Sequence, residues 1–399
     1  MNCNDISLQS LFQPIVSIKR KTVIGFEALT RGIIKNSKAN ILGYEEIYNL
    51  AKKEQCLYEF EKSCWNNALK SWKLNQSLYP DSVLFLNIDV SLLNFEPAIG
   101  TTLLEMINTI GIEPDHIVLE LVEQQLKMDD ILLSFVTYCH NQGFLIAIDD
   151  FGEAFSNLER LFLIQPDIIK ITKRLLHARR YSEEYGKSLL YGVIELINHI
   201  GAIPLLEGVE TIDQLYEAVD CNIDIIQGYI ISTPTNENSK VYREKLQNTL
   251  KVITDEVCIH KMQNIEMAKI KSNYYFQVAR HIALILEMEC CESTLDHLLH
   301  SLLLLDEQFE CMYLLSEEGI QISETHFRNL TSKNTLFKPA KKGDDHSEKE
   351  YYLYIKAGAT QYYSSPYISQ ATGMPCVTIS LTLSRGSLLG KILCIDFKS

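Results

Sequence analysis

Five carboxylates fall just after short apolar runs: Glu27 in EALTR, Glu120 in VLELVE, the adjacent Asp149 and Asp150 in IAIDDFG, and Glu207 in LLEGVE. Asn87 in FLNIDVS and Lys170 in DIIKIT stand at the same kind of position and add a neutral oxygen donor and a cation. If the apolar runs are strands, all of these groups end at one rim. Carboxylates brought that close repel one another unless cations compensate them, and a ligand set made of oxygen alone selects hard divalent ions over zinc. Such a set suits two-metal hydrolysis of a phosphate ester. Taken singly, Glu27 or Glu207 would more often be a solvated carboxylate, Asn87 a turn former and Lys170 a solvated charge. Arg31 could pair with Glu27, and Gln227 and Tyr229 could be packing residues. The set as a whole carries the metal reading.

The elements that must position these groups follow from the hydrophobic pattern. From residue 11 to about 235, short apolar runs alternate with stretches of helical period, the signature of repeated βα units and a parallel sheet. Strands are predicted at 12–17, 22–29, 83–89, 116–122, 144–150, 168–172, 203–209 and 224–230, with helices at 45–72, 92–110, 130–142, 187–200 and 212–220. The first two strands are joined only by Ile18 to Lys21, too short for a crossover helix, so they should run antiparallel. The expected fold class is therefore α/β, a modified (β/α)8 TIM-like barrel whose chemistry sits at the carboxyl-terminal rim. The polar stretch STPTNENS at 232–239 marks its end. Three segments are expected: a barrel domain at 1–240, a helical connector at 241–305 that lacks Gly and Pro, and a smaller α+β domain at 306–399. In the last, strands are predicted at 309–316, 350–357, 376–383 and 388–397, with a loop at 334–349.

Composition narrows the function classes. The chain has 399 residues and a formal net charge of -14, which disfavours a nucleic-acid polymer as partner. The start MNCNDISLQS has no targeting pattern, and no apolar run approaches the roughly 18 residues of a membrane span, so a cytoplasmic location is expected. The 11 cysteines include no CxxC pair and read as reduced thiols, adjacent Cys290 and Cys291 included. Asp150-Phe151-Gly152 mimics a kinase triplet without the accompanying Gly-rich loop, and Gly186-Lys187-Ser188 lacks the first Gly of a P-loop, where Tyr181 stands.

Glu27-Ala28-Leu29 with Arg31, Asn87, Glu120 with Glu123, Asp149-Asp150-Phe151-Gly152, Lys170, Glu207-Gly208-Val209-Glu210 and Gln227-Gly228-Tyr229, in that order, resemble the motif series of the EAL family, which hydrolyses cyclic di-GMP. The resemblance implies that Glu27, Asn87, Glu120 and Asp149 ligate one Mg²⁺ or Mn²⁺ ion, and Asp149, Asp150 and Glu207 a second. It also implies a catalytic group of Lys170, Glu207 and Glu27, with Lys170 holding the attacking water. Gln13, Leu29, Arg31, Asp150 and Gln227 would contact cyclic di-GMP, Glu123 would brace the loop after the DDFG strand, and the product would be linear pGpG. The layout resembles YkuI-type members with a PAS-like or Cache-like tail, and the run Tyr362, Tyr363, Pro366, Tyr367 with Thr378 is similar to Cache-type sensors. A ligand of unknown identity for that tail and a homodimer through the helices at 240–305 are expected; the tail aromatics could equally pack a small sheet.

Two departures bear on catalysis. Family members carry KID where this chain has Lys170-Ile171-Thr172, and GTGYSS where it has Gly152-Glu153-Ala154-Phe155-Ser156-Asn157. Both lie on the side of the second ion. They leave open an alternative to the hydrolase, a catalytically weak or inactive receptor that binds cyclic di-GMP and signals through its C-terminal domain.

Overall fold

The computed structural model describes residues 5–34, 41–122, 130–152, 158–172, 183–289, 294–328, 339–369 and 374–398. The chain divides into two compact units, Met1–His260 and Lys261–Ser399, the division falling inside the helix Lys240–Glu289.

In the first unit, strands β1 (Ile6–Ser17), β2 (Thr22–Ile34), β3 (Ile41–Leu42), β4 (Val83–Ile88), β5 (Ile117–Val122), β6 (Leu145–Phe151), β7 (Ile168–Ile171), β8 (Ile203–Leu206) and β9 (Ile225–Gln227) form one sheet. Its order is β1-β9-β8-β7-β6-β5-β4-β2-β3, and β1 also pairs with β2, so eight strands close into a barrel with β3 outside on β2. The hairpin predicted from the short link is present: β1 runs antiparallel to both β2 and β9, while the remaining barrel pairs are parallel. Outward-facing residues such as Leu84, Leu86, Leu119 and Ile146 pack with Trp65, Leu69 and Trp72 of the helices into the main core. Burying that layer is what holds helices to strands, at about 25 cal/mol per Å² of apolar surface removed from water.

Three helices differ from the sequence expectation. The stretch 45–72 is two helices, Tyr44–Lys53 and Leu57–Asn75, parted where Gln55 takes φ 56. No Gly or Pro marks that break. The stretch 92–110 begins as a 3-10 turn at Val90–Asn94, and the α-helix starts only at Ile99, because Pro97 disfavours helical geometry at Glu96. The helix predicted from 187 already begins at Glu183. Asp130–Gln142 and Ile212–Asp220 have the predicted bounds, the latter capped by Thr211, whose side chain accepts from Gln214 N.

The second unit holds an antiparallel sheet of β10 (Phe309–Leu315), β11 (His326–Phe327), β12 (Gln361–Tyr363), β13 (Tyr367–Ile368), β14 (Pro375–Thr382) and β15 (Ile392–Lys398). The order is β11-β10-β15-β14-β12, with β13 also on β14. The helix Leu295–Leu303 packs into this unit's core. The segment 350–357, predicted as a strand from its aromatic content, is instead a helix over Glu350–Lys356. Packing decided against β-propensity there: Tyr351, Tyr352 and Ile355 lie on one helical side and meet Tyr313 and Leu315 of the sheet. Cys64, Cys139, Cys311, Cys376 and Cys394 are buried free thiols; Cys290 and Cys291 lie outside the described residues. Among the described residues no helix is long and apolar enough to cross a membrane.

Candidate active site

The barrel interior is layered by strand alternation. Ile15, Phe85, Val118, Ala147, Ile168, Leu205 and Ile225 form an apolar layer inside it. Side chains two apart on a strand share a face, so the next inward positions toward the rim are Asn87, Glu120, Asp149, Lys170, Glu207 and Gln227, and on the reversed β1, Gln13. Glu27 follows Gly25 on β2 in the same way. A Cβ at Gly25 would stand 2.8 Å from Val83 O, so glycine lets β2 close against β4 beneath the acidic layer.

Lys170 is the centre of that layer. Its Nζ lies 2.5 Å from Glu120 Oε1, 2.5 Å from Glu207 Oε1, 3.2 Å from Asp149 Oδ1 and 3.7 Å from Glu27 Oε2. Burial alone would lower the Lys170 ammonium, but Asp149, Glu120, Glu207 and Glu27 outweigh it and hold it well above its ordinary value. A lysine that stays protonated donates hydrogen bonds and cannot ligate a metal. Glu27 is fixed from the other side, accepting from Gln227 Nε2 at 2.6 Å and Asn87 Nδ2 at 3.3 Å. Gln227 also donates to Gln13 Oε1 at 3.3 Å, and Gln13 to Ser232 O at 3.3 Å.

Neighbouring residues of a regular strand point to opposite faces, yet Asp149 and Asp150 act together. The β6–β7 register shifts between Ile148 and Phe151, and Asp150 takes φ 56, a left-handed conformation costly for a residue with a Cβ. This turns the second carboxylate back, so that Asp149, Asp150 and Glu207 each offer an oxygen within 4.8 Å of the others. The loop after β8 is locked as well. Val209 N donates to Gln227 O at 3.0 Å and Ile230 N to Val209 O at 3.1 Å, while a Cβ at Gly228 would lie 2.0 Å from Val209 O.

The residues fit a pair of hard cations. Glu120 is 0% exposed, and neither of its oxygens accepts a hydrogen bond of sound geometry; the Lys170 contact reaches only Oε1. Burial pushes the Glu120 and Glu207 carboxyls up, the signature of acids that lack sufficient positive charge. Five carboxylates less one ammonium leave four negative charges, which two divalent ions would balance through oxygen ligands alone.

A cavity of about 520 Å³ adjoins Glu27 and Asn87. Leu29 and Arg31 line it because they share the Glu27 face of β2, and Arg31 Nη1 donates to Thr30 O at 2.9 Å. Its other walls escaped the sequence reading. Tyr44 OH donates to Glu61 Oε1 at 2.5 Å, Tyr48 OH to Asp89 Oδ2 at 2.8 Å, and Trp65 Nε1 to Asn87 O at 3.1 Å. Glu61 is 2% exposed, and burial pushes its carboxyl up to about 7. A signal existed: Glu61 interrupts the helical apolar stripe of Leu57, Phe60, Cys64, Trp65 and Ala68. Gln13 and Gln227 are buried in the network that holds Glu27 and do not line this cavity. Tyr229 is 61% exposed and packs no core. Thr172 Oγ1 is buried without a hydrogen-bond partner. Glu123 and residues 153–157 lie outside the described residues.

The sequence pattern of the EAL domain matches residues 3–234. Over 324 residues the chain is 27% identical to the uncharacterized EAL-domain containing protein YkuI of Bacillus subtilis, covering 79% of this chain and 76% of the relative. It is 26% identical over 233 residues to the probable cyclic di-GMP phosphodiesterase PdeG of Escherichia coli, covering 58% of this chain and 45% of that protein, so it spans less than half of that relative's length. Among solved structures, Bacillus subtilis YkuI in complex with substrate c-di-GMP and calcium superposes with a TM-score of 0.80 at 23% identity, covering 100% of this chain and 97% of the other. The manganese and cyclic di-GMP complex of Klebsiella pneumoniae BlrP1 gives a TM-score of 0.50 at 25% identity, over 57% of this chain and 56% of the other.

Proposed function

Because the chain belongs to the EAL domain family, we propose that its barrel hydrolyses cyclic di-GMP to linear pGpG with two Mg²⁺ or Mn²⁺ ions. The observation that carries this reading is the charge arrangement: four carboxylates around the buried Lys170 ammonium, with Asp150 turned toward the same cluster. Glu27, Asn87, Glu120 and Asp149 would hold one ion, and Asp149, Asp150 and Glu207 the other. When bound, such ions activate water and stabilise the departing oxygen of a phosphodiester. Lys170, kept protonated by its neighbours, donates to the attacking water and orients it. Gln227 and Asn87 hold the Glu27 carboxylate in place, Gln13 steadies Gln227, and Arg31 grips a phosphate of the nucleotide in the adjoining cavity. Leu29 and Asp150 complete the contact with substrate. Complexes of related chains with cyclic di-GMP and calcium or manganese support this assignment.

A second reading rests on one observation. Thr172, where the family carries an acid, presents a buried hydroxyl with no partner, which weakens the second ion's surroundings and favours a receptor that binds cyclic di-GMP and turns it over slowly or not at all. Regulation by the second unit, a homodimer and a cytoplasmic location belong to the same proposal. Full-length protein incubated with Mn²⁺ and cyclic di-GMP separates the readings by chromatography. Appearance of pGpG, abolished in Glu27→Ala with the fold retained, supports the hydrolase; tight binding without product supports the receptor. Neither binding nor product removes both.

A further inference from the structure

The second unit contains a cavity of about 730 Å³ that the proposed hydrolysis does not use. Three tyrosines, Tyr313, Tyr351 and Tyr367, line it together with His346 and Asp396. Asp396 is 3% exposed and lies on β15, at the centre of the sheet.

The hydrogen-bond network fixes which way the polar groups face. Gln321 Nε2 donates to Ser323 O and to Thr325 Oγ1, so its Oε1 accepts from His346 Nε2 at 3.0 Å. With that proton on Nε2, a neutral His346 accepts at Nδ1, and the Tyr351 hydroxyl donates to it at 2.7 Å. Burial lowers the His346 imidazolium, in keeping with the neutral ring. On the other wall, Thr378 Oγ1 donates to Asp396 Oδ1 at 2.7 Å, so the Tyr367 hydroxyl must donate to Thr378, also at 2.7 Å. Cys311 Sγ donates to Asp396 Oδ2 at 3.1 Å. The protons of Tyr351, Tyr367, Thr378 and Cys311 are therefore committed within the wall, and what these groups turn to a ligand is oxygen lone pairs and aromatic faces.

Although Lys349 and the hydroxyls of Ser364, Ser365 and Ser369 also line the cavity, the Asp396 side of the wall favours a cation that brings its own donors. Burial pushes the Asp396 carboxyl up to about 6, and the charge of Glu310 adds to the rise. Among the described residues, Asp344, Asp345 and Glu350 line the same cavity against Lys349, so their charges sum to negative. Carboxylate and tyrosine faces together are the surroundings in which organic ammonium groups are held, by a charge-assisted hydrogen bond and by attraction to the ring face.

We propose that this cavity is a binding site for a small organic ammonium ion, with Asp396 as its counter-ion and Tyr313, Tyr351 and Tyr367 as its walls. The site is contained within the second unit and does not rest on the hydrolase reading.

The test uses full-length protein, with calorimetry and thermal melts in the presence of 1,4-diaminobutane, histamine and phenethylamine at millimolar concentration. Each amine is paired with an uncharged analogue in which a hydroxyl replaces the amine. At least one amine should bind saturably and raise the melting temperature, its alcohol analogue should not, and Asp396→Asn should weaken the interaction about tenfold or more. Tyr367→Phe, which keeps the ring and drops the acceptor oxygen, should weaken it less and serves as the probe if the Asn variant does not fold. The proposal falls if no amine binds, if the alcohols bind equally well, or if a folded variant retains full affinity. Loss of cyclic di-GMP hydrolysis would leave these outcomes unchanged, so the two readings fail separately.

Discussion

Replacing Lys170 by Met probes the charge arrangement directly. The substitution keeps an unbranched chain one atom shorter and removes an ammonium that stands 2.5 Å from each of two buried carboxylates and within 3.7 Å of two more. Taking one partner out of a buried ion cluster costs about 3–5 kcal/mol, because the remaining charges are left uncompensated. In a unit of 260 residues, each kcal/mol moves the melting midpoint by roughly 2–4 °C, so without metal the barrel transition should fall by roughly 6–20 °C. Protonation of Glu120 and Glu207, already pushed up by burial, offers a partial escape, so the deficit should shrink as pH falls. Divalent ions supply the second signature. Lys170 competes with them for the same oxygens, so Mn²⁺ should stabilise the Met variant more than the wild type, by about 1.4 kcal/mol for each tenfold gain in affinity. Melts recorded with a chelator and across a Mn²⁺ series read both effects. A variant that melts within about 2 °C of wild type in chelator, or gains the same increment from Mn²⁺, would refute the idea that this lysine balances a cation site.

Further outcomes follow from other positions. Gly228→Ala drives a methyl to 2.0 Å from Val209 O, a backbone atom that cannot yield, and should destabilise the barrel by about 3 kcal/mol or more in urea titration; a loss below about 1 kcal/mol would contradict the close approach. Thr172→Asp places a carboxylate where a buried hydroxyl now lacks a partner, and calorimetry should show Mn²⁺ binding about tenfold tighter, with faster turnover; unchanged affinity would mean that this departure does not act on the second ion. Glu61, raised from 4.5 to about 7 by burial, binds its proton more tightly in the folded chain, so its stabilising effect is complete below about pH 4.5 and is lost as pH rises through 7. Glu61→Gln removes that dependence and should gain on wild type by up to about 3 kcal/mol between pH 4.5 and 8; parallel stability curves would exclude a perturbed carboxyl.

Much of the barrel was legible because its inward positions repeat every second residue and end in polar groups. Phe85 and Asn87, Val118 and Glu120, Ile168 and Lys170 each show one apolar inward residue followed by one site residue, which sequence alone displays. The cavity wall was hidden for a different reason. Glu61 looks like any surface acid until the packing of Trp65 and Tyr44 encloses it, and the break at Gln55 that orients its helix carries no Gly or Pro. In the second unit, local propensity misled: EYYLYIK is aromatic enough for a strand, yet burying Tyr351 and Tyr352 against the sheet requires helical spacing. The opposed directions of Tyr351 and Tyr367 hydroxyls depend on partners distant in the chain, Gln321 and Asp396, which no local pattern reveals.

The reversed direction of β1 has a practical consequence. Its residue Gln13 pairs with Glu27, and from there back to Ile6, opposite Ile34, the strand runs outward past the acidic layer, on the side where β2 leaves the barrel. The start of β1 at Ile6 therefore lies on the rim side of the acidic layer, the side from which a nucleotide would enter on the hydrolase reading. An affinity tag or fused protein placed there would crowd the opening, and rates measured on such a fusion would report obstruction by the appendage as well as the chemistry beneath it.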